Sequence, residues 1–380
     1  MRWACVGAAE QRCRRLGGSD MGSSYSLPAG PVAHAYAGPM GVRHQSPRAG
    51  AVLLTTVALL VSTWLPAGAT GSARTEERAG SLAGLERVGT KVKAQASRSR
   101  ARAGRTVIVS GKVSGGSRRK VVLETKVPGS WRPLATTRSN PSGRYRLRLP
   151  TTWYHQHTLR VRAPASGGRP PGTSRAVKVR VKPSYKPAGS SSDYSVPYKN
   201  YRWNACKPIT WRFHKGGGFA KSLKVVKRAL VEVTRGTGLT FDYRGGTSAV
   251  PVRDSNAGVA DLVIGWTTPS EVPQLGGGTA GYGGASATGP DQQHLEINEG
   301  WVALDQTESL AETYADGSRV TWGQVMVHEI GHAIGLGHAS SSDQLMFGTA
   351  TTSNSRLGRG DLRGMELVGL GRGCWDQGAR

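Results

Sequence analysis

The sequence predicts an α+β protein in which a small all-β sandwich precedes a unit of mixed α/β texture. Between residues 105 and 182, short segments with strand-like composition are separated by Gly- and Pro-rich turns. That arrangement is typical of a small sandwich of the immunoglobulin type. After residue 201, strand-like runs alternate with segments of helical period, which indicates a second domain of different architecture.

Five short segments are the predicted strands of the sandwich, at 106–110, 120–124, 145–149, 158–162 and 176–181. The last three alternate apolar and basic residues with period two. One face of each strand is therefore expected to pack inward, and the other to carry Arg and Lys into solvent.

The second unit has predicted strands at 209–213, 239–243, 261–266 and 295–298. Residues 221–235 carry apolar side chains at helical spacing, and Gly236 is expected to end that helix. A Gly-rich run occupies 276–284. These elements define a predicted domain over residues 201–376, joined to the sandwich by a linker at 183–200.

The N-terminal residues 1–73 are predicted to be a leader with a signal peptide. Its apolar core is 51–65, Arg43 and Arg48 precede the core, and small residues around Ala69 follow it. The alternative is a membrane anchor, but the run is shorter than the roughly 18 residues that a spanning helix needs. The protein is therefore expected to be secreted into the extracellular space. Retention at the cell wall after export is the alternative location.

Charge is distributed very unevenly along the chain, whose formal net charge is +27. Residues 74–190 contain 27 Lys and Arg against 4 Asp and Glu, whereas residues 191–380 contain 18 of each. We interpret 74–104 as a basic flexible linker and 105–182 as a basic sandwich. Residues 74–190 are expected to attract an anionic wall polymer or lipid surface.

Nucleic acid is a poorer candidate partner, because export and the lack of a stacking aromatic pattern argue against it. A plain spacer role is the alternative to binding. The protein is expected to be a monomer.

Two cysteines, Cys206 and Cys374, flank the C-terminal unit. In an exported protein such a pair predicts a disulfide, and the alternative is two unrelated buried thiols. The closed loop would exceed a hundred residues, for which the chain-entropy model gives roughly 4–5 kcal/mol.

Residues 328–338 read H-E-I-G-H-A-I-G-L-G-H and are the most informative stretch of the sequence. Thr321, followed by Gln324, has the spacing of a capping box and predicts where a helix begins. His328 and His332 are four residues apart, so they share one helix face and can hold one ion. Gly335 is placed to end the helix in a left-handed conformation.

After that turn, His338 can return as a third ligand. Three imidazoles with an open fourth position are typical of a catalytic zinc site. Glu329 lies beside the histidines and is the candidate general base, which takes a proton from a zinc-activated water. The alternative is a site that binds zinc without catalysis.

This eleven-residue motif resembles the zinc-binding motif of the metzincin metallopeptidases. Met346 follows His338 by eight residues and is not followed by tyrosine, which resembles the matrixin branch. The resemblance implies a twisted mixed sheet with an active-site helix and a cleft bounded by an antiparallel edge strand, here 279–284 or else a flexible Gly loop. It also implies a primed-side wall at 348–352, and it admits Ca²⁺ with Asp261 as a weak candidate ligand.

Together these features predict a secreted zinc-dependent metalloendopeptidase that hydrolyses protein or peptide substrates. The main alternative is a cell-surface polyanion-binding protein with a vestigial peptidase fold. A peptidase that acts on wall cross-links is a third interpretation.

Overall fold

The computed structural model describes residues 2–6, 12–16, 89–115, 118–198, 201–289, 295–314 and 317–375, the first two segments by backbone alone. All of them belong to one compact unit. The predicted leader core 51–65 lies outside the described residues, as do residues 74–88 of the first predicted linker. No helix in the described ranges is long and apolar enough to cross a membrane.

The strands of the described residues are β1 Arg2–Val6, β2 Arg12–Leu16, β3 Val92–Ala96, β4 Arg100–Arg102, β5 Val107–Val113, β6 Lys120–Val127, β7 Ser130–Arg138, β8 Arg144–Leu149, β9 Gln156–Ala163, β10 Gly172–Thr173, β11 Val177–Lys182, β12 Ile209–His214, β13 Phe241–Gly246, β14 Leu262–Thr267, β15 Gly281–Thr288 and β16 Glu296–Asp305. The helices are α1 Ser222–Thr237, α2 Trp322–Ala333 and α3 Arg359–Val368, with short 3-10 turns at Pro273–Leu275 and Leu370–Arg372.

Residues 89–182, here called the β region, form two sheets. One has the strand order β4-β11-β9-β6-β7, with β10 added to β9, and the other has the order β3-β5-β8. Apolar side chains from both sheets meet in one buried cluster that includes Val109, Leu147 and Val161. Strand β8 alternates buried and exposed residues without interruption, as the sequence predicts.

The structure differs from the predicted linker at 74–104, because β3 and β4 lie within it. Val92 and Ala101 are buried in the cluster of the β region. Strand β3 pairs with β5, and β4 pairs in parallel with β11. These strands are short and basic with small apolar residues, so local composition resembles a linker although non-local pairing makes them strands.

Strand β7 has no counterpart among the predicted strands. It contains Pro133, which cannot donate a ladder hydrogen bond and argues against a central strand. The structure places β7 at the edge of its sheet, and Pro133 falls where the register with β6 shifts. Proline is tolerated at both kinds of position.

Residues 201–375 are built on a five-stranded sheet of order β13-β12-β14-β16-β15. The first four strands are parallel, and β15 is antiparallel to β16 at the edge. Helix α2 packs on β15 and β16, and α1 packs against both α2 and α3. A mixed sheet with few helices agrees with the predicted α+β class.

Helix α1 shows why a glycine is an uncertain stop signal. The helix passes through Gly236 and ends at Gly238, which has φ of 73°. A Cβ built on Gly236 would lie 2.2 Å from the sulfur of Met365 in α3. Gly236 therefore permits close helix packing, and the prediction that it ends the helix is wrong by two residues.

The β region is packed directly against residues 201–375. Val127 and Trp153 belong to the main buried cluster of the C-terminal residues. The backbone N–H of Tyr154 donates to the carbonyl oxygen of Arg235 at 2.7 Å. The Tyr154 hydroxyl donates to Glu232 in α1 at 3.3 Å.

The segment predicted as a second linker, 183–200, is also docked. The Tyr185 hydroxyl donates to the carbonyl oxygen of Leu357 at 2.9 Å, and the N–H of Arg359 donates to Ala188 at 2.8 Å. Its Pro, Gly and Ser content predicts irregular backbone, and its described residues 183–198 lie in no helix or strand. The polar groups of that backbone find partners on the C-terminal residues, so the segment is not a free connector.

Cys206 and Cys374 form a disulfide, which confirms the predicted pairing. The guanidinium of Arg202 donates to the carbonyl oxygens of Gly373 and Cys374 at 2.8 and 3.2 Å. The last described residues are thus fixed to the beginning of the C-terminal region.

Candidate active site

Helix α2 begins as predicted, but only half of the expected capping box is present. The Thr321 side chain accepts a hydrogen bond from the N–H of Gln324 at 3.2 Å. The Gln324 side chain does not return to Thr321. It donates instead to the Thr351 carbonyl and to the Asn354 side chain, at 3.0 and 2.8 Å. Gln324 therefore holds the loop that follows Met346.

The end of α2 also agrees with the prediction. The helix ends at Ala333, and Gly335 has φ of 100°. A Cβ at Gly335 would lie 2.5 Å from the carbonyl oxygen of Tyr201, so both conformation and space favour glycine. This turn brings the chain back toward the helix at His338.

The three predicted ligand histidines lie together. Nε2 of His332 is 3.0 Å from Nε2 of His328 and 3.1 Å from Nε2 of His338. Each histidine offers one nitrogen atom as a possible metal ligand, and the three atoms lie within 4.8 Å of one another. Among the described residues, this is the cluster of side chains that could hold a metal ion.

Backbone carbonyls fix the orientation of two of these rings. Nδ1 of His328 is 2.9 Å from the carbonyl oxygen of Leu345, and Nδ1 of His332 is 2.9 Å from that of Leu336. Because a carbonyl oxygen only accepts, each Nδ1 carries the proton and each Nε2 presents a lone pair. Lone pairs that face each other at this distance repel unless a cation lies between them. The donor set therefore fits a zinc ion.

Burial keeps these imidazoles neutral. It lowers the pKa of His328 to about 4 and that of His338 to about 3. The pKa of His332 is also well below its ordinary value, through burial first and the two neighbouring histidines second. At neutral pH protons do not compete for the lone pairs that a metal needs.

Glu329 is buried next to the histidines and lines the same cavity as His328. Burial raises its pKa to about 8, partly offset by a hydrogen bond from the backbone of Gly283. Within the described residues, its Oε2 atom has no hydrogen-bond partner. An unpaired buried carboxylate oxygen is costly, and such groups concentrate at functional sites.

Two glycines of the edge strand let Glu329 approach it. A Cβ on Gly281 would lie 2.6 Å from Cγ of Glu329, and one on Gly283 would lie 2.1 Å from its carbonyl oxygen. The Gly-rich run, for which the sequence allowed an edge strand or a flexible loop, is in part the edge strand β15. Its glycines make room for α2.

Met346 is buried and lies against Gly331 of α2. A Cβ on Gly331 would lie 2.4 Å from the Met346 sulfur, so glycine between the two helical histidines lets the methionine approach. The carboxylate of Asp361 accepts hydrogen bonds from the N–H groups of Leu345, Met346 and Gly358 at 2.6, 3.1 and 2.7 Å.

Asp361 is not predicted from the sequence, although the first turn of α3 is a normal place for an acidic residue. Burial raises its pKa to about 6, against the opposing effect of its three backbone donors.

Asp193 was missed as well, because it lies in the predicted linker. Its two carboxylate oxygens accept hydrogen bonds from the N–H groups of Ser340 and Ser341, at 2.8 and 3.1 Å. Two residues on, the carbonyl oxygen of Ser195 accepts from the N–H of Gly337 at 2.9 Å. The segment therefore holds the chain on both sides of His338.

Cavities flank the histidines on two sides. A narrow one of about 10 Å³ touches His328 and Glu329 and is closed by Gln324, Gly348 and Ala350. The last two residues belong to the predicted wall 348–352. A larger one of about 230 Å³ runs along β15 and reaches His332. Both cavities border the histidine cluster, the narrow one between α2 and the loop at 345–350, and the larger one beside β15.

Asp261, the candidate calcium ligand, has another role. Its Oδ2 atom accepts hydrogen bonds from both the N–H and the hydroxyl of Thr210, each at 2.7 Å. These bonds join the starts of β12 and β14. Nothing in the described residues supports a calcium site at Asp261.

A helix with two imidazoles one turn apart, a third imidazole after a glycine turn and an adjacent edge strand form an arrangement that resembles the sites of zinc metallopeptidases. Residues 202–368 match the Peptidase_M10 family model, described as Matrixin. The Arabidopsis thaliana protein Metalloendoproteinase 2-MMP is 36% identical over 77 residues, which are 20% of this chain and 19% of that protein. The chain thus spans about a fifth of the length of this curated relative.

These matches confirm the predicted resemblance: residues 202–368 are a matrixin-like domain, and matrixins are zinc metallopeptidases. One solved structure concerns the structural basis of T cell specificity and activation by the bacterial superantigen toxic shock syndrome toxin-1. The alignment with one of its chains covers 24% of this protein and 99% of that chain. Its identity is 10% and its TM-score 0.20, values that carry no argument about fold or function.

Proposed function

We propose that this protein is a secreted zinc-dependent metalloendopeptidase in which His328, His332 and His338 hold the metal and Glu329 is the general base. The observation that carries the proposal is the convergence of three imidazole Nε2 atoms, with separations of 3.0 and 3.1 Å to His332, beside the buried Glu329 side chain.

His328, His332 and His338 would hold the zinc ion, which when bound would supply Lewis-acid chemistry by activating water and polarising a peptide carbonyl. Glu329 has a free carboxylate oxygen with which to accept the proton of the attacking water. It then donates that proton to the nitrogen of the leaving amine.

The edge position of β15 supports a peptide substrate. Its inner side pairs with β16, and its outer side is the end of the sheet. An extended peptide can add to such an edge by backbone hydrogen bonds, with its carbonyls along the cavities that border the histidines. Backbone pairing of this kind is independent of the side chains of the peptide.

Secretion is part of the proposal and is supported by two features. The apolar core at 51–65 has the layout of a signal peptide, and the Cys206–Cys374 disulfide suits an oxidising compartment.

The test uses the full chain, measured for zinc content and for cleavage of a casein-like substrate. We expect one zinc per chain, loss of activity on chelation, and recovery when zinc returns. Glu329→Gln should retain zinc but lose activity by about 10²–10⁴-fold, the usual contribution of a general base. Exposed Glu312 provides the matched control, and Glu312→Gln should behave as wild type.

The alternative, a polyanion-binding protein with a vestigial peptidase fold, makes a different prediction. In that case wild type would bind zinc yet cleave nothing, and Glu329→Gln would match it. That outcome overturns the proposed activity.

A further inference from the structure

The β region has almost no negative charge of its own. Residues 89–182 contain 23 Lys and Arg and a single acidic residue, Glu124. Glu124 is buried, and its carboxylate accepts hydrogen bonds from Arg160 and Arg162 at 2.8 and 2.7 Å. The only acidic residue of the β region is therefore already paired. The region contains no other Asp or Glu that could balance its remaining cations.

Three of these cations form a row across the outer face of the β3-β5-β8 sheet. Lys93 is paired in register with Lys112, and Lys112 with Arg144. All three side chains are exposed. Adjacent strands lie about 4.8 Å apart, and like charges directly opposite each other destabilise a sheet. Folding of the sheet itself does not favour such a row, so an anionic group outside the sheet would stabilise it.

The row lies in an open cleft of about 1510 Å³. Seven exposed cations line it: Lys91, Lys93, Lys112, Arg138, Arg144, Arg146 and Arg175. No Asp or Glu is among the described residues that line it. The cleft concentrates positive charge, and it is large enough for several repeating units of a polymer.

This face is separate from the surface by which the β region contacts the peptidase domain. That contact uses Val127, Trp153 and Tyr154 on other strands and loops. The cavities that touch the histidines share no lining residue with the cleft. A ligand in the cleft would therefore leave the histidine centre uncovered.

We propose that the cleft binds a linear phosphodiester polymer that carries no bases, of the polyol-phosphate type found in cell walls. Guanidinium groups match phosphate oxygens in bidentate geometry, and four of the seven cations are arginines.

The aromatic content of the cleft separates this ligand from nucleic acid. Its one aromatic lining residue, Tyr145, is 3% exposed, and its hydroxyl donates to the carbonyl oxygen of Lys93. Tyr145 presents no face on which a base can stack, whereas single-stranded nucleic acids depend on such stacking. The site goes beyond the proposed peptidase activity and does not depend on it.

The test measures binding of purified poly(glycerol phosphate) to the full chain by titration calorimetry at several salt concentrations. The site variant carries Lys93→Gln, Lys112→Gln and Arg144→Gln. The matched control carries Lys178→Gln, Arg180→Gln and Lys182→Gln, which remove the same charge from exposed positions of β11 outside the cleft. Thermal melting checks that both variants fold as wild type.

We expect at least a tenfold loss of affinity in the site variant and less than a threefold loss in the control. The slope of log affinity against log salt should fall by about 2 in the site variant, at about 0.7 per phosphate contact. Equal losses in the two variants would overturn the proposal, because attraction would then be diffuse.

Two further polymers test the ligand chemistry. Single-stranded DNA with the same number of phosphates, and polyglutamate of equal charge, should both bind more weakly than poly(glycerol phosphate). DNA binding of equal strength would assign the cleft to nucleic acid, and equal binding of polyglutamate would exclude phosphate recognition. A site variant that will not fold is replaced by Lys112→Gln alone, for which about a threefold loss is expected and an unchanged affinity contradicts the proposal.

Discussion

The histidine centre and the cationic cleft collect nitrogen-rich side chains in opposite ways. At the centre, burial keeps three imidazoles neutral, and their Nε2 atoms lie close together. In the cleft, seven Lys and Arg side chains remain exposed and charged. The first arrangement suits one small cation at fixed geometry, and the second suits a long hydrated polyanion. The two regions should therefore respond differently to substitution, pH and salt.

Removal of one imidazole should break the centre most severely. His338→Ala leaves two ligands on α2 and opens a coordination position, so zinc affinity should fall by more than the roughly 10–100-fold typical of changes beside a metal ligand. Casein cleavage should disappear with the zinc, while affinity for poly(glycerol phosphate) stays at the wild-type value. Zinc content after dialysis checks this, and full retention of zinc would show that His338 is not a ligand.

Crowding of the edge strand should have the next largest effect. Gly283→Ala places a Cβ 2.1 Å from the Glu329 carbonyl oxygen, which must shift the base or the strand. A displacement of about 1 Å commonly costs around 100-fold in rate. Gly246→Ala is the control, because its Cβ would have a nearest neighbour at 3.8 Å. Activity measured on zinc-loaded protein separates this effect from metal loss, and equal activity of the two variants would contradict it.

Loss of the Asp193 carboxylate should loosen the third ligand. Asp193→Ala removes the acceptor for the N–H groups of Ser340 and Ser341, which follow His338. We expect zinc affinity to fall by about 10-fold, in the range for residues that orient a ligand. Asp343→Ala changes an exposed carboxylate nearby and should leave the affinity unchanged. Competition with a zinc indicator dye measures both variants.

Acid should weaken the fold around the histidine centre and leave ligand binding in the cleft almost unchanged. Burial lowers the pKa of His328 to about 4 and that of His338 to about 3, below the ordinary value of 6.5. Between about pH 4 and 6.5 the three imidazoles bind more protons in the unfolded chain than in the folded chain, which lowers the stability of the metal-free protein as pH falls. The buried carboxyls Glu329 and Asp361 have raised pKa values and act in the opposite direction, but they are two groups against three. Urea unfolding of chelated protein at pH 7 and pH 5 should show a lower midpoint at pH 5.

The described residues that line the cleft include no histidine, which is the side chain that ordinarily changes its charge in this interval. Affinity for poly(glycerol phosphate) should therefore change less than twofold between pH 7 and pH 5. A large decrease would mean that histidines, and not the cleft cations, hold the polymer.

How much the sequence predicts depends on how local the cause is. The spacing of His328, His332 and Gly335 determines the centre within one helix and one turn, so the three imidazoles come together as expected. Period-two alternation likewise predicts strands such as β8. Asp361 and Asp193 act through backbone groups far along the chain, and no local pattern marks them. Strand β3 is stabilised by its pairing with β5, while its own composition resembles a linker.

X-ray absorption spectroscopy of zinc in the full chain tests the central claim most directly. The account predicts one zinc with three imidazole nitrogens at about 2.0–2.1 Å and one oxygen ligand, and one imidazole fewer in His338→Ala. A wild-type spectrum with only two imidazoles, or with sulfur in the coordination sphere, would contradict it.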